Sequence, residues 1–211
     1  MSQQAANTVL MIRPVQFRMN EQTAVNNYYQ KKLEDLTPEN VNAKSQEEFD
    51  GFVERLRSVG VNVVVVDDTK ESDTPDSIFP NNWVSFHENA EVVLYPMFAE
   101  NRRLERREDI LDILEEEGFQ INDINDYTSA EEDGIFLEGT GSMILDRENE
   151  KVYAALSPRA DEELIIECCE EFFSDPVIFE AYQDTPDGRK LIYHTNVMMC
   201  VADEFAVICA D

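Results

Sequence analysis

Three times this chain runs a short polar motif into a β-hairpin pattern, and that internal repeat restricts the fold more than any other feature. Asn82 opens Trp83-Val84-Ser85-Phe86, Ser142 opens Met143-Ile144-Leu145-Asp146, and Asn196 opens Val197-Met198-Met199-Cys200. The opening residues stand 60 and 54 positions apart, close to the length of one supersecondary unit, roughly 50 residues or less. Repeats of this size usually close into a ring, and equivalent positions of a ring face a common centre. Each motif is also the most chemically loaded stretch in its neighbourhood. Asp76 to Trp83 carries an acid and an amide pair, Glu138 to Ser142 an acid among glycines, and His194 to Asn196 a histidine. The repeat therefore predicts one pocket at which Asp76, Glu138 and His194 meet.

The elements around the motifs follow from periodicity and turn chemistry. Val9 to Ile12 reads as a short strand closed by Arg13-Pro14. Ser45 to Val59 has helical spacing at Phe49, Phe52, Val53 and Leu56 before Gly60, and Val61 to Val66 reads as a buried strand. The first complete unit is predicted as strands 82–86 and 91–95, a helix over 101–117 and a strand over 119–124. The second is a hairpin of 142–146 and 151–156, a helix over 160–173 and a strand over 177–182. Both have the order strand, strand, helix, strand. The third supplies strands 196–201 and 205–209, the latter apolar enough to need covering on both faces, but no helix or closing strand before Asp211. The chain is thus expected to end within a repeat, with a C-terminal portion missing. No Gly-, Ser- or Pro-rich linker divides it, which favours one continuous α/β domain over residues 1–211.

Bulk properties narrow the class. With 211 residues and 43% hydrophobic content a full core can be buried. Seventeen basic against 45 acidic residues give a charge of −28, which argues against a nucleic-acid partner, because phosphate contacts need a basic face. Acid-rich stretches such as Glu115-Glu116-Glu117 read as a solvated surface. No apolar run approaches the roughly 18 residues of a membrane span, and no basic start precedes Val9-Leu10-Met11-Ile12, so a cytoplasmic setting is expected. Cys168, Cys169, Cys200 and Cys209 form no C-x-x-C pair, and there are only two histidines. Neither a zinc site nor another cofactor is expected; free thiols in a reducing compartment are the simpler account.

Each motif has a chemical and a merely structural reading. Glu138-Gly139-Thr140-Gly141 lies between apolar strands, where glycine admits unusual backbone angles and close approach; a surface bulge with a solvated carboxylate is the alternative. His194 follows Leu191-Ile192-Tyr193, where a tuned imidazole can carry protons near neutral pH; a satisfied core histidine is its alternative. His87, at a hairpin turn, is read as surface. Asp76 could close an Asx turn. The amides Asn81 and Asn82 are harder to set aside, because Asn82 enters an apolar strand where an unpaired amide is costly. Arg102 and Arg103 open a helix, an unfavourable place for cations that hints at an anionic ligand.

Together these motifs resemble the guanidine-modifying enzymes, the superfamily of arginine deiminases, dimethylarginine dimethylaminohydrolases and glycine amidinotransferases. The resemblance is nearest to the amidinotransferase-like branch with citrulline-utilisation hydrolases. It rests on Met11-Ile12-Arg13-Pro14, Asp76 to Trp83, Leu137 to Met143 and Tyr193 to Met199, and spans essentially the whole chain. It implies a pentein, a five-bladed α/β propeller of ββαβ units, of which about the first three to four blades are expected here. It further implies His194 as general acid/base and Glu138 as a catalytic carboxylate that pairs with the substrate nitrogen or shuttles protons. A cysteine thiolate, placed by the family beyond Asp211, would attack a guanidinium or ureido carbon. Asp76 would hold the substrate's amine and Arg102 its carboxylate. Dimethylarginine hydrolases usually carry acids at the positions of Asn81 and Asn82, and arginine deiminases an aspartate at that of Asn196. Asparagine donates to and accepts from a neutral ureido group, so a small amino acid such as citrulline is the expected partner, ahead of arginine. A non-catalytic binding protein and an amidinotransferase are the alternatives, and a homo-oligomer is left open.

Overall fold

The computed structural model describes residues 4–30, 36–172 and 175–209. The expected helix end at Phe173 and the terminal Asp211 lie outside them. The chain packs as two compact units, one of Met1–Ala5, Asn81–Phe98 and Asn122–Asp211, the other of Ala6–Pro80 and Ala99–Ile121.

In the Ala6–Pro80 and Ala99–Ile121 unit, β1 (Thr8–Arg13) pairs in parallel with β2 (Asn62–Asp67), with Met11 opposite Val65. The helix α1 (Pro38–Ser58) connects them and starts well before Ser45. Thr37 explains the earlier start: its side chain accepts from the Asn40 N–H and Pro38 fills the first helical position. Val53 is buried, whereas Phe52 is 54% exposed, so the apolar stripe of α1 is narrower than its spacing suggests. The helix expected over 101–117 is two pieces, α2 (Glu100–Arg103) and α3 (Glu108–Glu116). Arg107 between them is extended, and Glu108 and Asp109 open the second helix, where acids suit the dipole. Ile110 and Leu114 are its buried face.

The other unit contains the repeat. β3 (Val84–Phe86) and β4 (Glu91–Leu94) are antiparallel, and β4 pairs in parallel with β5 (Asp123–Asp126). After a single helical turn, α4 (Gly139–Ser142), the next sheet has the same plan. β6 (Met143–Asp146) and β7 (Lys151–Ala155) are antiparallel, and β7 is parallel to β8 (Asp175–Phe179) after α5 (Glu162–Phe172). Each sheet is thus two hairpin strands and one returning parallel strand. A further hairpin, β9 (Tyr182–Thr185) with β10 (Gly188–Leu191), intervenes before β11 (Met199–Val201) and β12 (Ala206–Ile208), which are antiparallel. The β9–β10 hairpin has no counterpart among the expected elements. Its turn is Pro186-Asp187, and Gly188 takes φ +106°, which suits glycine.

The core of this unit gathers Val93, Tyr95, Leu137, Met143, Val152, Ala154, Ile165, Cys168 and Cys169. Alternate residues along β6 and β7, Met143 with Leu145 and Val152 with Ala154, contribute to it, as the period of two requires. β12 lacks the cover that its apolar pattern calls for: Val207 is 56% and Ile208 57% exposed. One expectation is corrected. His87 is not a free surface residue but half-buried, with Nε2 2.8 Å from Ser85 Oγ and its ring stacked on Phe172.

Candidate active site

All three motifs end in a short helical turn that delivers the chain into a hairpin: Pro80–Asn82 before β3, α4 before β6 and Thr195–Val197 before β11. A helical turn aims several backbone N–H groups one way and fixes the side chains around it, so the turn positions the polar residues.

In the repeat-bearing unit, Glu138 and His194 meet. Glu138 Oε2 lies 2.6 Å from His194 Nε2 and 3.2 Å from Arg159 Nη1, and Glu138 Oε1 accepts the Phe98 N–H at 3.1 Å. Glu138 is fully buried and His194 is 4% exposed. A carboxylate removed from water is costly unless paired and hydrogen-bonded, and here a guanidinium, a backbone N–H and an imidazole supply that compensation. The carboxylate in turn fixes the ring plane of His194. Arg159 stacks over the Tyr193 ring at 4.9 Å, and its backbone carbonyl accepts from the Glu138 N–H and from Ser142 Oγ. Sequence reasoning missed Arg159, which stands in Ser157-Pro158-Arg159 outside the three motifs; full burial of an arginine is the signal, and only a structure gives it.

The glycines around Glu138 act by two mechanisms. Gly139 has φ +42°, and a Cβ there would meet the Asn81 carbonyl at 2.5 Å. Gly141 has an ordinary backbone, but its Cβ would lie 2.9 Å from the His194 ring and closer still to Asn82 Nδ2. Close approach is therefore real, and what approaches is the buried side chain of Asn82 and the imidazole. Asn81 is half-buried, its carbonyl accepting from Thr140 Oγ1 at 3.3 Å. Asn196 is exposed; its neighbour Thr195 is buried, donating to the Ser142 carbonyl and accepting the Ala155 N–H.

In the other unit, Asp76 and Arg102 come together. Asp76 Oδ2 accepts from Asn20 Nδ2 at 2.8 Å and Thr23 Oγ1 at 3.1 Å. Among the described residues, Oδ1 accepts no hydrogen bond, and Asp76 lines a cavity of about 560 Å³. Arg102 is buried and forks onto Glu105, Nε to Oε1 and Nη2 to Oε2 both at 2.9 Å, with Nη2 also reaching the Phe79 carbonyl at 3.2 Å. Its guanidinium thus holds the loop that carries Asp76. Sequence reasoning missed Asn20, Thr23 and Glu105.

The thiols differ in kind. Burial pushes Cys168 up to about 12 and Cys169 up to about 11, so both are neutral thiols near pH 7. Cys200 and Cys209 are exposed. No grouping of three metal-ligating side chains occurs among the described residues, and no helix among them is long and apolar enough to cross a membrane.

The family described as N,N dimethylarginine dimethylhydrolase, eukaryotic, matches residues 13–211. The chain belongs to this family. The family lies in the pentein superfamily of guanidine-modifying enzymes, as the motifs led one to expect. Solved structures share the mixed α/β fold. ArgZ, an arginine dihydrolase from the ornithine-ammonia cycle in cyanobacteria, superposes with a TM-score of 0.68 at 17% identity, over 94% of this chain and 27% of that one. The substrate-bound N-terminal domain of a cysteine-to-serine ArgZ variant gives 0.66 at 18% identity, over 94% and 65%. A dimethylarginine dimethylaminohydrolase adduct with 4-chloro-2-hydroxymethylpyridine gives 0.62 at 15%, over 97% and 69%. The chain thus spans about a quarter of full-length ArgZ and just under two thirds of its N-terminal domain. No curated protein matches the chain significantly by sequence.

Proposed function

We propose that this dimethylarginine dimethylhydrolase family member serves C–N bond hydrolysis at the ureido or guanidinium carbon of a small amino acid, with citrulline favoured over arginine. The observation that carries the reading is the buried 2.6 Å contact between Glu138 Oε2 and His194 Nε2. Arg159 and the Phe98 N–H donate to Glu138, and the imidazole meets the same carboxyl group through Nε2. An imidazole so held takes up a proton and returns it to a departing amine, while the adjacent carboxylate stabilises the imidazolium that forms in between. Glu138 therefore acts through His194, its own oxygens being occupied by protein donors.

Asp76 holds the ammonium of the substrate, an assignment supported by its place on the cavity wall and by Oδ1, which accepts no hydrogen bond among the described residues. Arg102, paired with Glu105 and bonded to the Phe79 carbonyl, fixes the Asp76 loop. Asn81 and Asn82 supply amides where an acid would favour a cation, which tips the preference to a neutral ureido group. Asn196, two residues after His194 in the third turn and exposed, is a further amide. The attack on carbon needs a thiolate, and none of the four cysteines suits the part. Cys168 and Cys169 are buried and hard to ionise, and Cys200 and Cys209 belong to the exposed third hairpin.

Titration calorimetry of the 211-residue protein with L-citrulline and L-arginine tests the reading. Tighter binding of citrulline is expected; tighter binding of arginine overturns the substrate assignment. Ammonia release from either compound by this chain would return the nucleophile to Cys200 or Cys209.

A further inference from the structure

The backbone that frames Glu138 begins at Tyr95. Tyr95-Pro96-Met97-Phe98 runs on from the end of β4 past Leu137 and Glu138. The Pro96 carbonyl accepts the Leu137 N–H at 3.2 Å, the Met97 N–H donates to Glu131 Oε1 at 2.7 Å, and the Phe98 N–H donates to Glu138 Oε1 at 3.1 Å. Glu138, at φ −84° and ψ 65°, is the centre of an inverse γ-turn closed by the Gly139 N–H on the Leu137 carbonyl at 3.0 Å. The Tyr95 ring lies against the next residue of that turn: its Cδ2 would be 3.0 Å from a Cβ on Gly139. The Tyr95 hydroxyl is 2.8 Å from Ser85 Oγ, which is in turn 2.8 Å from His87 Nε2. Ser85 and Tyr95 are buried, and none of the three has a part in the function proposed above.

We propose that Tyr95 is a positioning residue for the Glu138–His194 pair, its ring locked against Gly139 by the hydrogen-bond chain through Ser85 to His87. The inference rests on the reading of Glu138 as acting through His194. A phenylalanine would fill the same core space, and a buried hydroxyl is costly unless bonded; here it is bonded to a second hydroxyl that reaches an imidazole. Hydroxyls both donate and accept, so the two bonds form in either direction. Burial raises the Tyr95 hydroxyl above its ordinary value and lowers His87, so the chain is uncharged near pH 7, and the His87 ring at its far end is stacked on Phe172. A shift of Tyr95 would release Gly139 and drag the segment whose Phe98 N–H holds Glu138 Oε1. The 2.6 Å contact of Glu138 with His194 would change with it, because the γ-turn and that N–H together aim the carboxylate.

The test is NMR of the histidine ring nitrogens. The chain has two histidines, and the signals lost in His87→Gln are those of His87. Tyr95→Phe and Ser85→Ala are each expected to shift the His194 signals, and the double variant to shift them no further than the larger single change, as members of one chain do. Tyr95→Phe keeps the ring and hence the core packing. Val92→Ala opens a cavity at another buried position of β4; it is expected to lower the melting temperature at least as much as Tyr95→Phe while leaving the His194 signals in place, which separates positioning from lost stability. Unmoved His194 signals in Tyr95→Phe and Ser85→Ala overturn the role of Tyr95, as do equal shifts in Val92→Ala or shifts that add in the double variant. Unmoved His194 signals in Glu138→Gln instead overturn the coupling of Glu138 to His194 on which the proposed function stands, so the two failures are told apart.

Discussion

Thr195 is clasped to Ser142: its hydroxyl donates to the Ser142 backbone carbonyl at 2.5 Å while accepting the Ala155 N–H at 2.8 Å. One buried hydroxyl therefore joins the third motif to the second hairpin, and it sits next to His194. Thr195→Val keeps the shape and leaves a buried carbonyl and a buried N–H unmet, at about 1–3 kcal/mol each. Urea unfolding should show a loss of about 2–6 kcal/mol for Thr195→Val and under about 1 kcal/mol for Thr195→Ser. A neutral Thr195→Val would mean that the clasp is unimportant.

The same substitution should have opposite signs at two glycines. In Gly141→Ala the new methyl group meets the His194 ring at 2.9 Å and Asn82 closer still, an overpacked contact costing about 1–3 kcal/mol. In Gly51→Ala, within α1, nothing lies within 4 Å of the new carbon, and a gain of about 0.5–1 kcal/mol is expected from reduced backbone freedom. Melting curves decide both, and the His194 ring resonances should shift only in the first.

Acid should destabilise the protein in part through His87. Burial, helped by nearby Arg147, lowers its pKa from 6.5 to about 4. The folded state therefore favours the neutral ring, and the stability this contributes is complete above pH 6.5 and lost as pH falls towards 4. Between pH 7 and pH 5 the loss is about 2 kcal/mol. His87→Gln removes it, so the wild-type advantage over the variant should shrink by that amount over this interval. Carboxylates common to both proteins cancel in the difference. An unchanging gap would show that His87 titrates normally.

Two thiols should react with a disulfide reagent in the native protein and four after unfolding. Cys200 and Cys209 are exposed, whereas Cys168 and Cys169 are buried and raised to about 12 and 11. The thiolate is the reactive form, so burial and ionisation both protect the pair. Mass analysis of labelled peptides identifies which residues react; native labelling of Cys168 would contradict its packing.

The hairpins and returning strands were legible because alternation of two and turn residues are local signals. Both complete units appear in the expected order, with β4 and β7 each parallel to the strand that follows a helix. The start of α1 was missed although Thr37-Pro38 announces it, since the polar stretch behind it has no apolar period. The break at Arg107 was illegible because it depends on burial: Arg102 and Glu105 turn inward and pair, which no periodicity records. The same holds at the candidate site. Glu138 and His194 stood out by their motifs and meet, whereas Arg159, Asn20 and Thr23 gained meaning only once the chain had folded around charges that need partners.

The inserted β9–β10 hairpin is closed at its base by a bond from the Ile192 N–H to the Ala181 carbonyl at 2.8 Å. Its two ends are therefore adjacent, and its strands are mostly exposed. A protein engineer could excise residues 182–191 or replace them with a foreign loop. The chain leaving β8 would still arrive at Tyr193 and His194 in register.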